Sequence, residues 1–442
     1  MQELNGLADL YRDHVARLAT GYASALAATG WDAVVIHSGT ALKRSQFDDQ
    51  YWPLRPVPHF QHWLPLAQPD CALVVVAGQR PVLHRLDAGS FWEALPPLDA
   101  PHVWPQFDVR ALGQPEQVRD GLPRGRVAFI GEDRARAASW RLADAAINPA
   151  DLLEHLDALR VHKSPYEIAC LAEANRRAAP GHSALREAFQ HSDASELDLH
   201  LAYLRATGQD DPETPYKNIV ALGANAATLH HISYGRAATG AGSLLVDAGA
   251  THFGYASDVT RTWVRGPGAA ADLFRQLVAG VDTLQQALCG SVRVGLPYEE
   301  LHERAHEDVT QLLCDLRLLR CSVAEATAHK LSRAFLPHGL GHSLGLQCHD
   351  VGCALVPPKA DNPWLRNTSI IAPQQVFTIE PGVYFIPVLL EPLRQGPHAA
   401  LLDWPMIDAL RPFGGVRIED DLHVLPDGVR NLTREVLVPE AI

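Results

Sequence analysis

The sequence predicts two domains of different class, an α/β N-terminal part and an α+β C-terminal part. Three observations carry this. The chain has 442 residues, more than one small core organises. Short Val- and Ile-rich runs alternate with helical ones through the first third. Beyond about residue 150 strand runs and long helical segments follow each other without strict alternation.

The opening segment, MQELNGLADLYRDHVARLATGYASALAATG, sets Leu, Tyr and Val on one stripe and predicts an amphipathic helix. It lacks the charged-then-apolar layout of a secretory leader, and no apolar run is long enough to span a bilayer. A cytoplasmic protein with no membrane partner is expected. WDAVVIHSG, CALVVVAGQRPVLHR and GRVAFIG read as short strands closed by Gly or Pro. Between them YWPLRPVPHFQHWLPL is too rich in proline for regular helix and is expected to be a long loop or sheet edge. This first third offers no obvious constellation for chemistry.

In NPADLLEHLDALRVHKSPYEIACLAEANRRAAPGHSALREAF the apolar spacing becomes helical, with Ser164-Pro165 as the junction between two helices. The change places a domain boundary near residues 155–160, giving domains 1–157 and 158–442. Downstream, GSLLVDAG, GYASDVTRTWV, VFTIEPGVYF and GVRIEDDLHVL read as strands, and LFRQLVAGVDTLQQAL and YEELHERAHEDVTQLL as helices.

Composition excludes several classes. With 47% hydrophobic and 20% charged residues and no low-complexity tract, the chain is an ordinary globular protein. A formal charge of −13 without a Lys/Arg cluster gives no basic face for phosphates, so nucleic acid is not an expected partner. The seven cysteines are scattered and form no CxxC pair, so neither a cysteine zinc site nor a redox pair is expected. The glycines at 339, 341 and 345 do not have the spacing of a dinucleotide fingerprint.

The chemistry is signalled by acids inside apolar strands. LLVDAGATHFGYASDVTRTWV reads as a hairpin turning near His252 and Phe253 or at one of the flanking glycines. A turn centred on the first pair sets Asp247 opposite Asp258 on adjacent strands, and a bulge at Gly254 would shift that register by one. Like charges directly opposed are destabilising, so the pair shares a proton, holds a cation, or turns one member to solvent. Glu380 ends the run VFTIE, and Glu419 interrupts GGVRIEDD with Arg417 two residues earlier on the same face. PHGLGHSLGLQCHD adds His338, His342 and His349 among glycines that let the backbone approach a site closely. Four carboxylates with an imidazole exceed the needs of one tetrahedral zinc and suit two divalent ions, Mn²⁺, Co²⁺ or Zn²⁺. Residue types alone leave open which histidine would bind. Two such ions together serve hydrolysis.

These motifs, with IHSG, FDDQYWP, PYKNIVALGANAATLHH and PFGGVRIED, closely resemble the pita-bread metallopeptidases, and within them the bacterial Xaa-Pro dipeptidases (prolidases). The likeness runs nearly end to end. It implies a creatinase-like N-terminal domain and a pita-bread catalytic domain carrying two metal ions, usually Mn²⁺. It implies Asp247, Asp258, His342, Glu380 and Glu419 as ligands, which leaves His338 beside the centre and His349 as a substrate-contacting histidine. Arg366 in PWLRNT matches the arginine that grips the carboxylate of a C-terminal proline, as a guanidinium does well. His230, or His231 next to it, corresponds to a histidine near the scissile bond. Tyr216 and Tyr298 fall where relatives place pocket tyrosines. Arg417 either hydrogen-bonds near the metals or pairs with Glu419 or Asp420. The family is usually a homodimer, and Asp48 and Asp49 lie in the segment that would reach the partner's site.

The resemblance implies a metal-bridging hydroxide as nucleophile, Glu380 as proton carrier, and dipeptides ending in proline as substrates. The alternatives are an aminopeptidase P-like activity on longer Xaa-Pro peptides, hydrolysis of organophosphorus compounds, and a non-catalytic peptide-binding scaffold. Methionine aminopeptidases lack such an N-terminal domain, and creatinase-like members lack the metals.

Overall fold

The computed structural model describes residues 2–437 apart from 88, 90, 93 and 96–99. It divides into two compact units, Met1–Ala169 and Cys170–Ile442. Among the described residues no helix is long and apolar enough to cross a membrane.

In the first unit the expected amphipathic helix is α1 (Gln2–Thr29), which buries Tyr11, Val15, Leu18, Tyr22 and Leu26 at helical spacing. Five strands form one mixed sheet: β1 (Ala33–His37), β2 (Ala72–Val76), β3 (Val82–Leu86), β4 (Asp108–Leu112) and β5 (Val127–Ile130). Their order is β4-β3-β2-β1-β5; β1 runs antiparallel to β2 and parallel to β5. The Trp/Pro-rich stretch differs from expectation, because Pro58–Trp63 is a helix within it. Pro58 sits in the first turn, where its missing N–H costs no hydrogen bond, and Phe60 and Trp63 are fully buried. Helix α2 (Ala150–Val161) ends before Ser164, whose backbone N–H donates to Glu167 at 2.7 Å as α3 (Pro165–His191) begins.

This unit also holds a buried cluster that sequence reasoning missed. Glu167 lies 3.3 Å from His62 and 3.8 Å from His14, and Arg17 reaches the same carboxylate at 3.3 Å. His14 spends both ring nitrogens on Ser164 Oγ and the His62 carbonyl, each at 2.8 Å. With every His14 nitrogen and an arginine already committed, the cluster is a structural network rather than a cation site.

In the second unit, β6 (Ile219–Leu222), β7 (Ser243–Asp247) and β10 (Thr260–Val264) form a sheet in the order β10-β7-β6, with a small hairpin of β8 (Thr251–His252) and β9 (Tyr255–Ala256) at its end. A second sheet joins β11 (Val376–Ile379), β14 (Asp420–Leu425) and β15 (Gly428–Asn431); β12 (Gly382–Tyr384) pairs with β13 (Gly415–Arg417). Helix α4 (Glu196–Thr207) starts at a Ser195 capping box. Helices α5 (Ala269–Ser291) and α6 (Tyr298–Asp315) bury Phe274, Leu277, Val281, Leu301 and Val309 in one core with Phe377, Ile379, Val416 and Leu422. That core backs the strands whose ends carry the acids.

The hairpin turns at the flanking Gly254, so its register differs from that of a turn centred on His252 and Phe253. Asp247 faces Thr260, and Thr251 and His252 face Ala256 and Tyr255. The turn is therefore Phe253-Gly254, both at positive φ (47° and 89°), as a two-residue type I′ connection requires. Asp258 is moved from direct opposition to the diagonal position. A shift of two keeps both acids on one face, whereas a shift of one would have turned one of them away.

Candidate active site

The histidine segment owes its position to a close backbone approach. A Cβ on Gly341 would sit 2.1 Å from the Thr378 carbonyl oxygen, so only glycine lets residues 340–342 run alongside β11. Thr378 N donates to His342 O at 3.0 Å and Glu380 N to Leu340 O at 2.8 Å, which brings His342 and Glu380 to one wall. On the facing side an antiparallel bridge joins Thr260 to Glu419, and Thr260 Oγ1 donates to Glu419 Oε2 at 2.6 Å.

Asp247, Asp258, His342, Glu380 and Glu419 all line one cavity of about 920 Å³. His342 Nε2 lies 3.4 Å from Asp258 Oδ2 and 3.5 Å from Glu380 Oε1. Asp258 Oδ1 accepts from Tyr216 Oη at 2.6 Å, and Asp258 Oδ2 accepts from Cys348 Sγ at 2.9 Å. Behind this layer Asp421 accepts from the Asp258 backbone N–H at 3.1 Å and from Asn175 at 2.8 Å.

Arg417, 4% exposed, ties three elements together. Its Nη2 donates to Asp247 Oδ2 at 2.6 Å, Nε to Thr260 Oγ1 at 3.2 Å and Nη1 to Tyr384 Oη at 2.9 Å. Its ion pair is thus with Asp247, one of the expected ligands, rather than with Glu419 or Asp420, the alternative; Asp420 is held by Arg261 and Arg434 instead. From Tyr384 the chain of bonds continues to His338 Nε2 at 2.9 Å, and His338 Nδ1 reaches the Gly339 carbonyl at 2.8 Å. That direction of donation leaves His338 neutral with its proton on Nδ1. Burial, with Arg417 nearby, lowers its pKa to about 3, in agreement.

The electrostatics are strained as the residues stand. Burial pushes Asp247 up to about 6 and Glu380 up to about 7, and it raises Glu419 strongly, with Asp258, Glu380 and Asp247 adding to the effect. Burial also pushes on Asp258, but hydrogen bonds from His342, Cys348 and Tyr216 outweigh it and hold that group near 2. His342 is depressed by burial yet held up at about 9 by Asp258 and Glu380.

These residues fit divalent cations. His342 Nδ1 is within 3.1 Å of the Ser343 carbonyl and donates its proton there, which leaves Nε2, turned to two carboxylates, as the nitrogen that can give its lone pair to an ion. The carboxylates meeting at that point call for a positive charge among them, which the proton on Nε2 supplies and a divalent cation would supply in its place. Asp258, His342 and Glu419 bring ligand atoms within 4.8 Å of one another, and Asp247 Oδ1 is buried without a hydrogen bond of good geometry.

The remaining expected residues divide. Tyr216, His230, His338, His349 and Arg366 line the cavity. His349 packs edge-on against His342 with ring centroids 4.4 Å apart, and burial, then His342 and Arg366, lower its pKa to about 4. His231 is turned to Glu196 at 2.9 Å, which leaves His230 as the histidine of that pair facing the cavity. Tyr298 is corrected: it is fully buried in the core and donates to the Thr378 carbonyl at 2.7 Å, away from the cavity lining. Asp48 and Asp49 lie in the first unit, where both side chains bond to Gln50. Sequence reasoning missed Thr260, Tyr384 and Cys348, although each stands inside a motif that was singled out.

The family described as "Metallopeptidase family M24" matches residues 169–426, and that described as "Xaa-Pro dipeptidase, N-terminal domain" matches residues 9–158. A curated relative from Pseudoalteromonas atlantica, named Xaa-Pro dipeptidase, is 39% identical over 97% of this chain and 99% of its own. One of the same name from Pseudoalteromonas haloplanktis is 40% identical over 98% and 99%. Among solved structures, zinc-substituted aminopeptidase P of E. coli has a TM-score of 0.73 at 24% identity, covering 96% of this chain and 95% of that one. Pseudomonas aeruginosa aminopeptidase PepP has the same TM-score at 23% identity, covering 97% and 96%; both show a shared fold. A centre of four carboxylates and one imidazole, on a fold and sequence matched from end to end, identifies the chain as a metal-dependent peptidase belonging to metallopeptidase family M24.

Proposed function

We propose that the chain is an Xaa-Pro dipeptidase (prolidase), hydrolysing the bond before a C-terminal proline, with two divalent ions held by Asp247, Asp258, His342, Glu380 and Glu419. The observation that carries this is the single cavity in which those five residues meet Arg366, a guanidinium suited to a free carboxylate. The names of relatives covering nearly the whole chain support the substrate class. The same reading includes Mn²⁺ as the ion, a homodimer, a cytoplasmic location, and a functional division into residues 1–157 and 158–442.

When bound, the ions supply Lewis acidity to the substrate carbonyl and acidify the attacking water. Glu380 takes the water's proton on a carboxylate oxygen and returns it to the proline nitrogen; burial, which raises its proton affinity, suits that task. His349 and His230 stabilise the carbonyl oxygen as it gains charge. Arg366 fixes the proline carboxylate and so limits the length of the substrate. Tyr216 orients Asp258, and Arg417 orients Asp247, through the bonds described above. His338 keeps its proton on Nδ1 and accepts from Tyr384, which in turn accepts from Arg417.

The test compares Ala-Pro and Gly-Pro with Ala-Pro-Ala in the presence of Mn²⁺. Dipeptide hydrolysis with little tripeptide cleavage is expected, and Arg366→Met should erase that preference. Equal cleavage of the tripeptide would overturn the dipeptidase reading in favour of an aminopeptidase P-like one. Intact dipeptides would point to a non-catalytic scaffold.

A further inference from the structure

A thiol stands in a centre otherwise built from oxygen and nitrogen ligands. Cys348 Sγ is 2.9 Å from Asp258 Oδ2, and that carboxylate is 3.4 Å from His342 Nε2. Cys348 also brings its sulfur within 4.8 Å of ring nitrogens of both His342 and His349. All three residues line the same cavity. Sulfur and imidazole together make a soft ligand set, side by side with the hard set of four carboxylates.

We propose that His342, Cys348 and His349 form a thiophilic binding position for Zn²⁺ or Cd²⁺, overlapping the carboxylate centre through His342. The inference deepens the metal-centre reading given above and rests on it. With an oxygen-preferring ion such as Mn²⁺, Cys348 remains a thiol and donates to Asp258. When a thiophilic ion enters, the S–H proton passes to solvent and the sulfur lone pair goes to the ion. No electron is transferred, and one proton is released per thiolate formed. Asp258 loses its sulfur donor in that state, so the two kinds of occupancy hold the carboxylate differently. The centre therefore discriminates between cations by switching the role of one side chain.

The experiment uses the full chain freed of metal by chelator and titrated separately with Cd²⁺, Zn²⁺ and Mn²⁺, for wild type and Cys348→Val. Wild type with Cd²⁺ should develop the ultraviolet thiolate-to-metal charge-transfer band, and the variant should not. Cys348→Val should weaken Cd²⁺ and Zn²⁺ binding at least about tenfold more than it weakens Mn²⁺ binding, since Mn²⁺ loses only the thiol's hydrogen bond to Asp258 whereas the soft ions lose a ligand. Mn²⁺ binding by the variant shows in the same titration that its centre is folded. Cd²⁺ binding to wild type without the band, or equal weakening of all three ions, overturns the thiol proposal and leaves the metal-centre reading intact. Failure of wild type to bind any of the three ions overturns that reading itself.

Discussion

Replacing Thr260 by Val tests the carboxylate centre through a single oxygen atom. The substitution keeps the β-branched shape and the backbone pairing with Asp247. It removes the donor to Glu419 Oε2, 2.6 Å away, and the acceptor for Arg417 Nε, 3.2 Å away. Glu419 is 2% exposed, so water does not take the place of the lost oxygen. A hydrogen bond to a charged group contributes about 1.5–3 kcal/mol. At 1.4 kcal/mol per factor of ten, loss of the bond that orients Glu419 should weaken Mn²⁺ binding by about 10–100-fold, the range seen when residues that orient metal ligands are lost. Calorimetric titration of metal-free protein measures this directly, and activity at limiting Mn²⁺ should fall more than activity at saturating Mn²⁺. If Thr260→Val bound Mn²⁺ as tightly as wild type with its circular dichroism preserved, Thr260 would not orient a metal ligand and the assignment of Glu419 would fail.

Other expectations follow from the same geometry. Tyr298→Phe removes one buried hydrogen bond to Thr378 and should lower stability by about 1 kcal/mol without changing KM; a raised KM would return Tyr298 to the substrate pocket. Gly341→Ala forces a methyl group to 2.1 Å from the Thr378 oxygen, so it should cost both stability and metal binding, as urea unfolding and titration would register. His182 is fully buried against the Ala248 carbonyl at 2.9 Å, and burial lowers its pKa to about 4. Its unfolded pKa is near 6.5, so between about pH 6.5 and 4 the unfolded chain binds the extra proton and stability falls with pH, by up to about 1.4 kcal/mol per unit. In urea midpoints at pH 7, 6 and 5, His182→Gln should reduce that slope, and an unchanged slope would mean His182 does not titrate on unfolding. Chelator treatment should abolish hydrolysis and divalent ions should restore it; activity that survives full metal removal would exclude metal-dependent chemistry.

The acids were legible in the sequence because carboxylates inside apolar strands are costly without a partner, and all four line the cavity. The choice of His342 over His338 was not. It came with the family resemblance, and what supports it is that Tyr384 occupies His338 Nε2 whereas His342 Nε2 faces Asp258 and Glu380. The hairpin register escaped because the turn puts Phe253, an aromatic residue that disfavours positive φ, in a left-handed conformation. Thr260 and Tyr384 were invisible as partners because each is an ordinary strand residue until its neighbours are placed. Cys348 gives no signal of its own, since the absence of a CxxC pair says nothing about a sulfur facing carboxylates. Tyr298 misled because a tyrosine at the start of a helix gives no sign of which way its ring turns. The Pro58–Trp63 helix was hidden by prolines that, in the first turn, do no harm.

The guanidinium of Arg417 has a consequence for when the walls of the site can join. Asp247 and Arg417 are 170 residues apart, Thr260 and Glu419 are 159 apart, and Asn175 and Asp421 are 246 apart. Every one of these bonds waits for residues 417–421. Synthesis runs from the N-terminus, so a ribosome-bound chain has its early acids in place long before Arg417 and Glu419 have emerged. A chain cut before residue 417 therefore lacks the partners of Asp247, Thr260 and Asn175, and the walls of the site are left unjoined.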